Sequence, residues 1–249
     1  MTHTARSDPA RTASQNDRVR LGPAPFPLAR APGRQGRRPA SSATWPRHLR
    51  HPAPGWAVVS AGLSPVLATG GWLIADVAQP ASYSPAGTTI SVMAGYAGTD
   101  RWIMTVALFL VGGFQIVTAA GLAGIDVPAR ILLGVAGLCS IGIAASPEPA
   151  QGSTPQHLTW TALGAVVLAV WPALAARRAP PRPLILSGYG RAVVTAVFVA
   201  LLGWLVIETQ GGSDLGLAER LFLSTETCWP FIVAVALRQT AQGSRTRAG

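Results

Sequence analysis

The chain has 249 residues, 49% of them hydrophobic and only 12% charged, with a formal net charge of +10. An ordinary soluble domain carries roughly 25% charged residues, so the composition points away from a water-soluble enzyme and toward the bilayer. Nor does the positive charge point to nucleic acid. Every basic residue is arginine, ten of the twenty fall within residues 1–54, and most of the others flank apolar segments rather than forming one basic face.

Residues 1–54 set ten arginines against Asp8 and Asp17, with many Pro, Ser, Thr and Gly and no apolar periodicity. Such a stretch buries too little to offset its ordering entropy, so a disordered cytoplasmic tail is predicted. It is too long for a signal peptide. Three readings stay open for it: contact with anionic lipid next to the first span, an inert tail, or an over-extended gene start.

Six apolar windows of about 20 residues follow, each long enough to cross a bilayer. They are Gly55–Val77, Arg101–Leu122, Val127–Ser146, His157–Ala176, Arg191–Thr209 and Leu217–Gln239. The third is short and Gly-rich but holds no charge in LLGVAGLCSIGIAA. With the tail inside, Arg130, Arg177, Arg178, Arg182, Arg191, Arg238, Arg245 and Arg247 all fall on the cytoplasmic side. Only Arg101 and Arg220 fall outside, each beside an acid, Asp100 and Glu219. This obeys the positive-inside rule, and an even span count returns the C-terminal tail, residues 240–249, to the cytoplasm. Trp72, Trp102, Trp160 and Trp204 collect near the outer ends as an interfacial belt would. An all-α, polytopic, six-helix bundle in a bacterial plasma membrane is expected, with lipid as its main partner.

Between the first two spans, the outer connection contains TTISVMAGYAG, which predicts a short helix lying in the interface, with Thr99 or Asp100 capping the second span. Gly112-Gly113 interrupts that span. Ala136, Ser140 and Ala144, then Thr161, Ala165 and Ala169, form small-residue stripes that let helices approach closely. Trp171-Pro172 and Trp229-Pro230 hint at a repeat, but spans one and three hold no matching pair. Cys139 and Cys228 both lie within spans and are expected as buried free thiols, not as a disulfide.

Glu226 is the sharpest candidate for chemistry, an acid inside the last span with no Lys or Arg at comparable depth. It serves a proton relay, a substrate hydrogen bond, or a helix–helix contact. Thr105, Ser140, Thr161 and Thr225 lie at similar depth, which predicts a polar pocket in the outer third. At the outer rim Asp76, Asp100, Glu148, Glu208, Asp214 and Glu219 outnumber Arg101 and Arg220, with His157 opening the fourth span. Glu219 and Glu226 are seven residues apart and share a helical face. One histidine and one methionine near the spans do not supply haem with its axial ligands. A zinc site built on His157, Glu148 and an aspartate, or a serine triad of Ser91, His157 and Asp100, has nothing further to support it. No catalytic, metal or cofactor residues are therefore assigned, and oligomeric state is left open.

Several stretches, GGWLIAD, TTISVMAGYAGTDRWIMT, ASPEPAQGSTPQHLTW, GLAERLF and WPFIV, in that order, resemble the actinobacterial branch of the domain-of-unknown-function-998 family of multi-pass membrane proteins. The likeness covers about residues 56–238. It departs from the family pattern at Val92, which follows Ser91 where the pattern carries an acid. The resemblance implies a compact six-helix bundle and no known activity, cofactor or substrate. The matching residues Asp100, Arg101, Glu148, His157, Glu219 and Arg220 coincide with the rim. Together with Glu226 they form the candidate polar cluster. The leading expectation is a non-enzymatic, structural or small-solute-handling membrane protein. The alternatives are a proton-linked transporter using Glu226, and an outer-leaflet lipid-acting enzyme using His157 and neighbouring carboxylates.

Overall fold

A computed structural model describes residues 53–177 and 183–246, with side chains up to residue 242. The basic tail and its expected lipid contact, together with Arg178, Arg182 and Arg247, lie outside the described residues. Within them the chain forms α1 (Gly55–Ala78), α2 (Ile90–Ala94), α3 (Trp102–Gly121), α4 (Val127–Ala145), α5 (Pro155–Leu174), α6 (Gly188–Glu208) and α7 (Leu215–Thr246). At about 1.5 Å per residue, a helix of about 20 residues matches the ~30 Å hydrocarbon core. All but α2 reach that length, with window mean hydropathy from 1.3 to 2.1. The protein is a multi-pass integral membrane protein.

Local chemistry sets the helix ends. Thr89, Thr154 and Ser187 each accept a hydrogen bond from the backbone N–H three residues on, opening α2, α5 and α6. Pro155 starts α5 where its missing N–H costs nothing. One expectation fails: neither Thr99 nor Asp100 caps α3, whose N-cap position is Arg101, with no side-chain cap. The turn geometry explains why. Asp100 sits at φ 49, in the left-handed region, and the Thr99 backbone is held by both ends of the Gln79 amide, at 3.1 and 3.2 Å.

The helices pack chiefly in a closed ring, α1 on α3, α3 on α4, α4 on α5, α5 on α6, α6 on α7 and α7 back on α1. The tightest crossing is α3 on α4. A Cβ on Gly112 would land on the Gly137 carbonyl, and one on Gly137 would land on that of Gly112, whereas Gly113 faces open space. Ser140 adds a hydrogen bond to the Leu108 carbonyl at 2.8 Å, and Ser60 on α1 meets Thr118 on α3 at 2.8 Å. Close backbones with small and hydroxyl residues between them are what holds helices together in lipid, where apolar side chains gain little by leaving it.

Two buried clusters fill the ring. The larger, including Leu133, Trp171, Trp229, Val233 and Leu237, occupies the half nearer the connections 122–126 and 175–187, here called the arginine end. The smaller, including Ile90, Met93, Met104 and Leu108, lies under the connections 79–101, 146–154 and 209–214, the rim end. Arginines finish helices at the arginine end. Arg130 donates to the carbonyls of Ala119 and Ala120 at the end of α3, at 2.8 and 3.0 Å, and Arg191 donates to Ala173 near the end of α5, at 2.5 Å. A cation there answers both the orphan carbonyls and the negative end of the helix dipole.

Three further expectations change. α7 continues to Thr246, seven residues past Gln239. α2 does not lie on the interface; four of its five residues are buried, against α1, α3 and α7. Cys139 is buried, but Cys228 is exposed on the outer surface of α7, and both are free.

A candidate polar cavity at the rim end

The residues singled out from the sequence separate into three groups. Asp100 and Arg101 stay on the surface of the connection to α3, where Arg101 lies 4.7 Å from the Tyr96 ring centre. Arg220 is buried and organises a hub. It donates to the carbonyls of Pro85 and Thr88 at 2.6 and 2.8 Å, to its own helix at Gly216, to Tyr83, and to Asp76 at 2.7 Å. The Trp72 ring covers it, with 5.5 Å to the centroid. Tyr83 in turn donates to Asp76 at 2.8 Å. Burial and that bond push its phenol from 10.0 up to about 12, against the opposing pull of the Arg220 charge. Sequence reasoning missed Tyr83; nothing in its neighbourhood, ASYSPAG, marks it as a partner of α7.

The third group, Glu148, His157, Glu219 and Glu226, lines one cavity of about 290 Å³. Its wall is built from α3 (Leu108, Val111, Gln115), α4 (including Cys139 and Ser140), α5 (including Thr161), α6 (Leu205) and α7 (including Phe222), and the start of α2 lines it on the rim side. Glu219 holds the start of α2 there. One of its oxygens accepts the Ile90 N–H at 2.6 Å and the other the Ser91 hydroxyl at 3.3 Å.

His157 is positioned by its neighbours. Thr154 caps its N–H at 3.1 Å, placing it in the first turn of α5, and its Nδ1 donates to the Ser146 carbonyl at the end of α4, at 2.7 Å. A carbonyl can only accept, so Nδ1 carries a proton, and the other nitrogen, Nε2, is turned to Glu148 at 3.5 Å without a hydrogen bond.

Glu226 lies deepest. It is 0% exposed, and neither carboxyl oxygen has a hydrogen-bond partner. Gln115 Oε1 and Thr161 Oγ1 are likewise buried and unpartnered, and both residues line the same space. Of the four hydroxyl residues expected at this depth, Ser140 and Thr161 reach the cavity. Thr105 and Thr225 instead bond back to their own helices, at Arg101 and Leu221. Gln115 was not anticipated, although an amide within GGFQIV is itself a costly residue in a span and was there to be noticed.

The remaining rim acids have specific structural partners. Glu208 accepts from Trp204 Nε1 and from the Asp214 N–H, both at 3.0 Å, joining α6 to the start of α7. Ser91 is committed to Glu219, so the serine-triad geometry is not formed. Among the described residues no three His, Cys, Asp or Glu side chains gather closely enough to hold one metal ion.

Residues 62–236, well over half of the chain, match the sequence model of a family described as a protein of unknown function, DUF998. No curated protein and no solved structure gives a match.

Proposed function

This chain belongs to the DUF998 family, whose description assigns no activity, and on that premise we propose that it is a non-enzymatic, small-solute-handling protein of the plasma membrane that binds its ligand in the rim-end cavity against Glu226. The rim end faces the extracytoplasmic side and both termini are cytoplasmic. The gathering of Arg130, Arg177, Arg191 and Arg238 at the opposite end of the helices supports that orientation. Epitope or reporter insertion between Pro147 and Gln156 tests it, and a cytoplasmic signal there would invert the assignment.

The observation that carries the binding reading is Glu226, fully buried with two oxygens that no protein group satisfies. Leaving a buried polar group unpaired costs about 1–3 kcal/mol, and Gln115 and Thr161 add to that cost in the same space. A fold that needed Glu226 only to hold helices together would have given it a partner. Groups that burden stability at one cavity are those kept for a ligand. The test is Glu226→Gln and Glu226→Leu in purified protein. Helical content and thermal stability are expected to hold in both, while ligand binding is lost in Glu226→Leu and kept in part by Glu226→Gln, which still offers a carbonyl acceptor. Loss of folded protein in both variants would return Glu226 to a purely structural role.

The same acid, with no cation in the cavity lining, gives a proton-linked carrier its one point of support. Against it, the ring below the cavity is filled by Trp171, Trp229, Val233 and Leu237, and a carrier has to open that side too. Solute-dependent proton flux in vesicles, abolished by Glu226→Gln, would favour the carrier. The lipid-acting enzyme has only the His157–Glu148 pair in its favour, and the two serines of the cavity lining, Ser91 and Ser140, are bonded to Glu219 and to the Leu108 carbonyl.

A further inference from the structure

Building on the binding reading above, we propose that the ligand is a single-chain amphiphile whose head donates hydrogen bonds and carries no anionic group, an amine or a hydroxyl, and that it enters sideways from the bilayer between α5 and α6. Four observations lead there.

The first is charge. The lining holds Glu148, Glu219 and Glu226 and no arginine. Arg220, adjacent to Glu219 in sequence, is engaged by Asp76, Tyr83 and the carbonyls of the 79–89 segment. A phosphate or carboxylate head would find no counter-charge there, and burying an anion without one is costly enough to exclude that ligand class.

The second is hydrogen-bond sense. Among the unsatisfied atoms, Gln115 Oε1 can only accept, the Glu226 carboxyl offers acceptor oxygens, and Thr161 Oγ1 can do either. Such a set asks for donors.

The third is the rest of the lining. Leu108, Val111, Ile143, Leu168, Phe222 and Leu223 are apolar and suit a hydrocarbon chain. At about 290 Å³ the space takes a head and upper methylenes, and a longer chain has to leave through a mouth.

The fourth is where that mouth lies. Toward the rim Thr89, Ile90 and Ser91 line the cavity, and Glu219 holds Ile90 and Ser91 in place. On the flank, Leu158 and Thr209 line the cavity and are also exposed, Leu158 at 54%. They belong to the first turn of α5 and the end of α6. α6 buries only Phe198, and beside Thr209 it presents Val206 and Ile207 outward. An opening bordered by such residues faces acyl chains.

Cys139 is a buried cavity residue and so a reporter. The full chain, carrying Cys228→Ala, is placed in nanodiscs of zwitterionic phospholipid and the rate of Cys139 alkylation by N-ethylmaleimide is followed. Decylamine and decanol are expected to slow it by about tenfold or more, while decanoate and ethanolamine leave it unchanged. In Glu226→Leu, decylamine is expected to protect no longer; in Glu226→Gln, decanol keeps most of its effect. Equal protection by decanoate, or by chainless ethanolamine, would overturn the ligand class while leaving a binding cavity in place. Protection by none of the four would remove the binding reading as well. A Cys139 that never reacts would remove the lateral mouth and this proposal with it, and undiminished protection by decylamine in Glu226→Leu would remove the role given to the acid.

Discussion

Arg220 and Glu226 stand on the same helix, six residues apart, and both are buried, at 5% and 0% exposure. Arg220 is surrounded: Asp76, Tyr83 and three backbone carbonyls take its guanidinium, and Trp72 covers it. Glu226 has no hydrogen-bond partner among the described protein groups. The two residues are equally foreign to a membrane span, yet the fold treats one as a fastener and leaves the other open. A buried charge by itself therefore says little about purpose; what distinguishes the two is whether the chain supplies its partners.

The sharpest way to break this contrast is Arg220→Met. Removing one partner of a buried ion pair costs about 3–5 kcal/mol, and here the carbonyls of Pro85 and Thr88 lose their donor too. The thermal midpoint in detergent is expected to drop by more than for any other single change at the rim. A cycle with Asp76→Asn should reveal coupling between the two sites, because they share the Tyr83 hydroxyl. If Arg220→Met unfolds no more easily than Glu226→Gln, the distinction drawn between the two residues is lost.

Next in size is the wall behind the cavity. Gly112→Ala places a methyl group against the Gly137 carbonyl, and forcing such a contact apart costs about 1–3 kcal/mol. Gly113→Ala, one position on, meets nothing within 4 Å and is expected to be neutral or mildly stabilising. Equal effects from the two would mean that α3 and α4 do not cross at Gly112.

Alkaline pH loosens the hub from another side. The Tyr83 phenol titrates near 12 in the folded chain against 10.0 ordinarily. A proton held more tightly in the folded state stabilises it fully below about pH 10, and that contribution is lost as pH rises toward 12. Tyr83 is only half-buried, so solvent screening keeps the effect smaller than those above. Phenolate absorbance should contain a component near pH 12 that Tyr83→Phe removes, and the variant's stability should no longer fall over that interval. An unchanged profile would detach Tyr83 from Asp76.

Much of the fold was legible because it rests on signals that are local in sequence. Apolar length gave the six spans, and the arginines marked one end of them. The same signals overreached where tertiary contacts decide. TTISVMAGYAG has the look of an interfacial helix, yet α2 turns inward because Glu219 and Arg220, about 130 residues later, hold its start and the segment before it. Thr99 looks like a cap, but Gln79 takes its backbone first. The rim acids read as one cluster because sequence reports their depth but not their direction around a helix. Their directions separate Asp100 from Glu148, and Asp76 from Glu219. Tyr83 was invisible for the same reason, since it acts through Asp76 on α1 and Arg220 on α7, whereas Gln115 carried a signal of its own as an amide inside a span.

The smallest expected effect has the opposite sign, and it bears most directly on function. In Glu226→Leu the cavity loses two unsatisfied oxygens and gains a side chain that its apolar neighbours accommodate. Relieving an unpaired buried group should leave stability unchanged or raise it by up to about 1 kcal/mol. Thermal unfolding of the ligand-free protein measures this without knowing what the cavity holds. A rise in the midpoint, set beside the fall for Arg220→Met, would mean that the chain retains Glu226 at the expense of its own stability. A fall as large as that of Arg220→Met would mean that Glu226 is a fastener too, with a partner in the membrane that completes it.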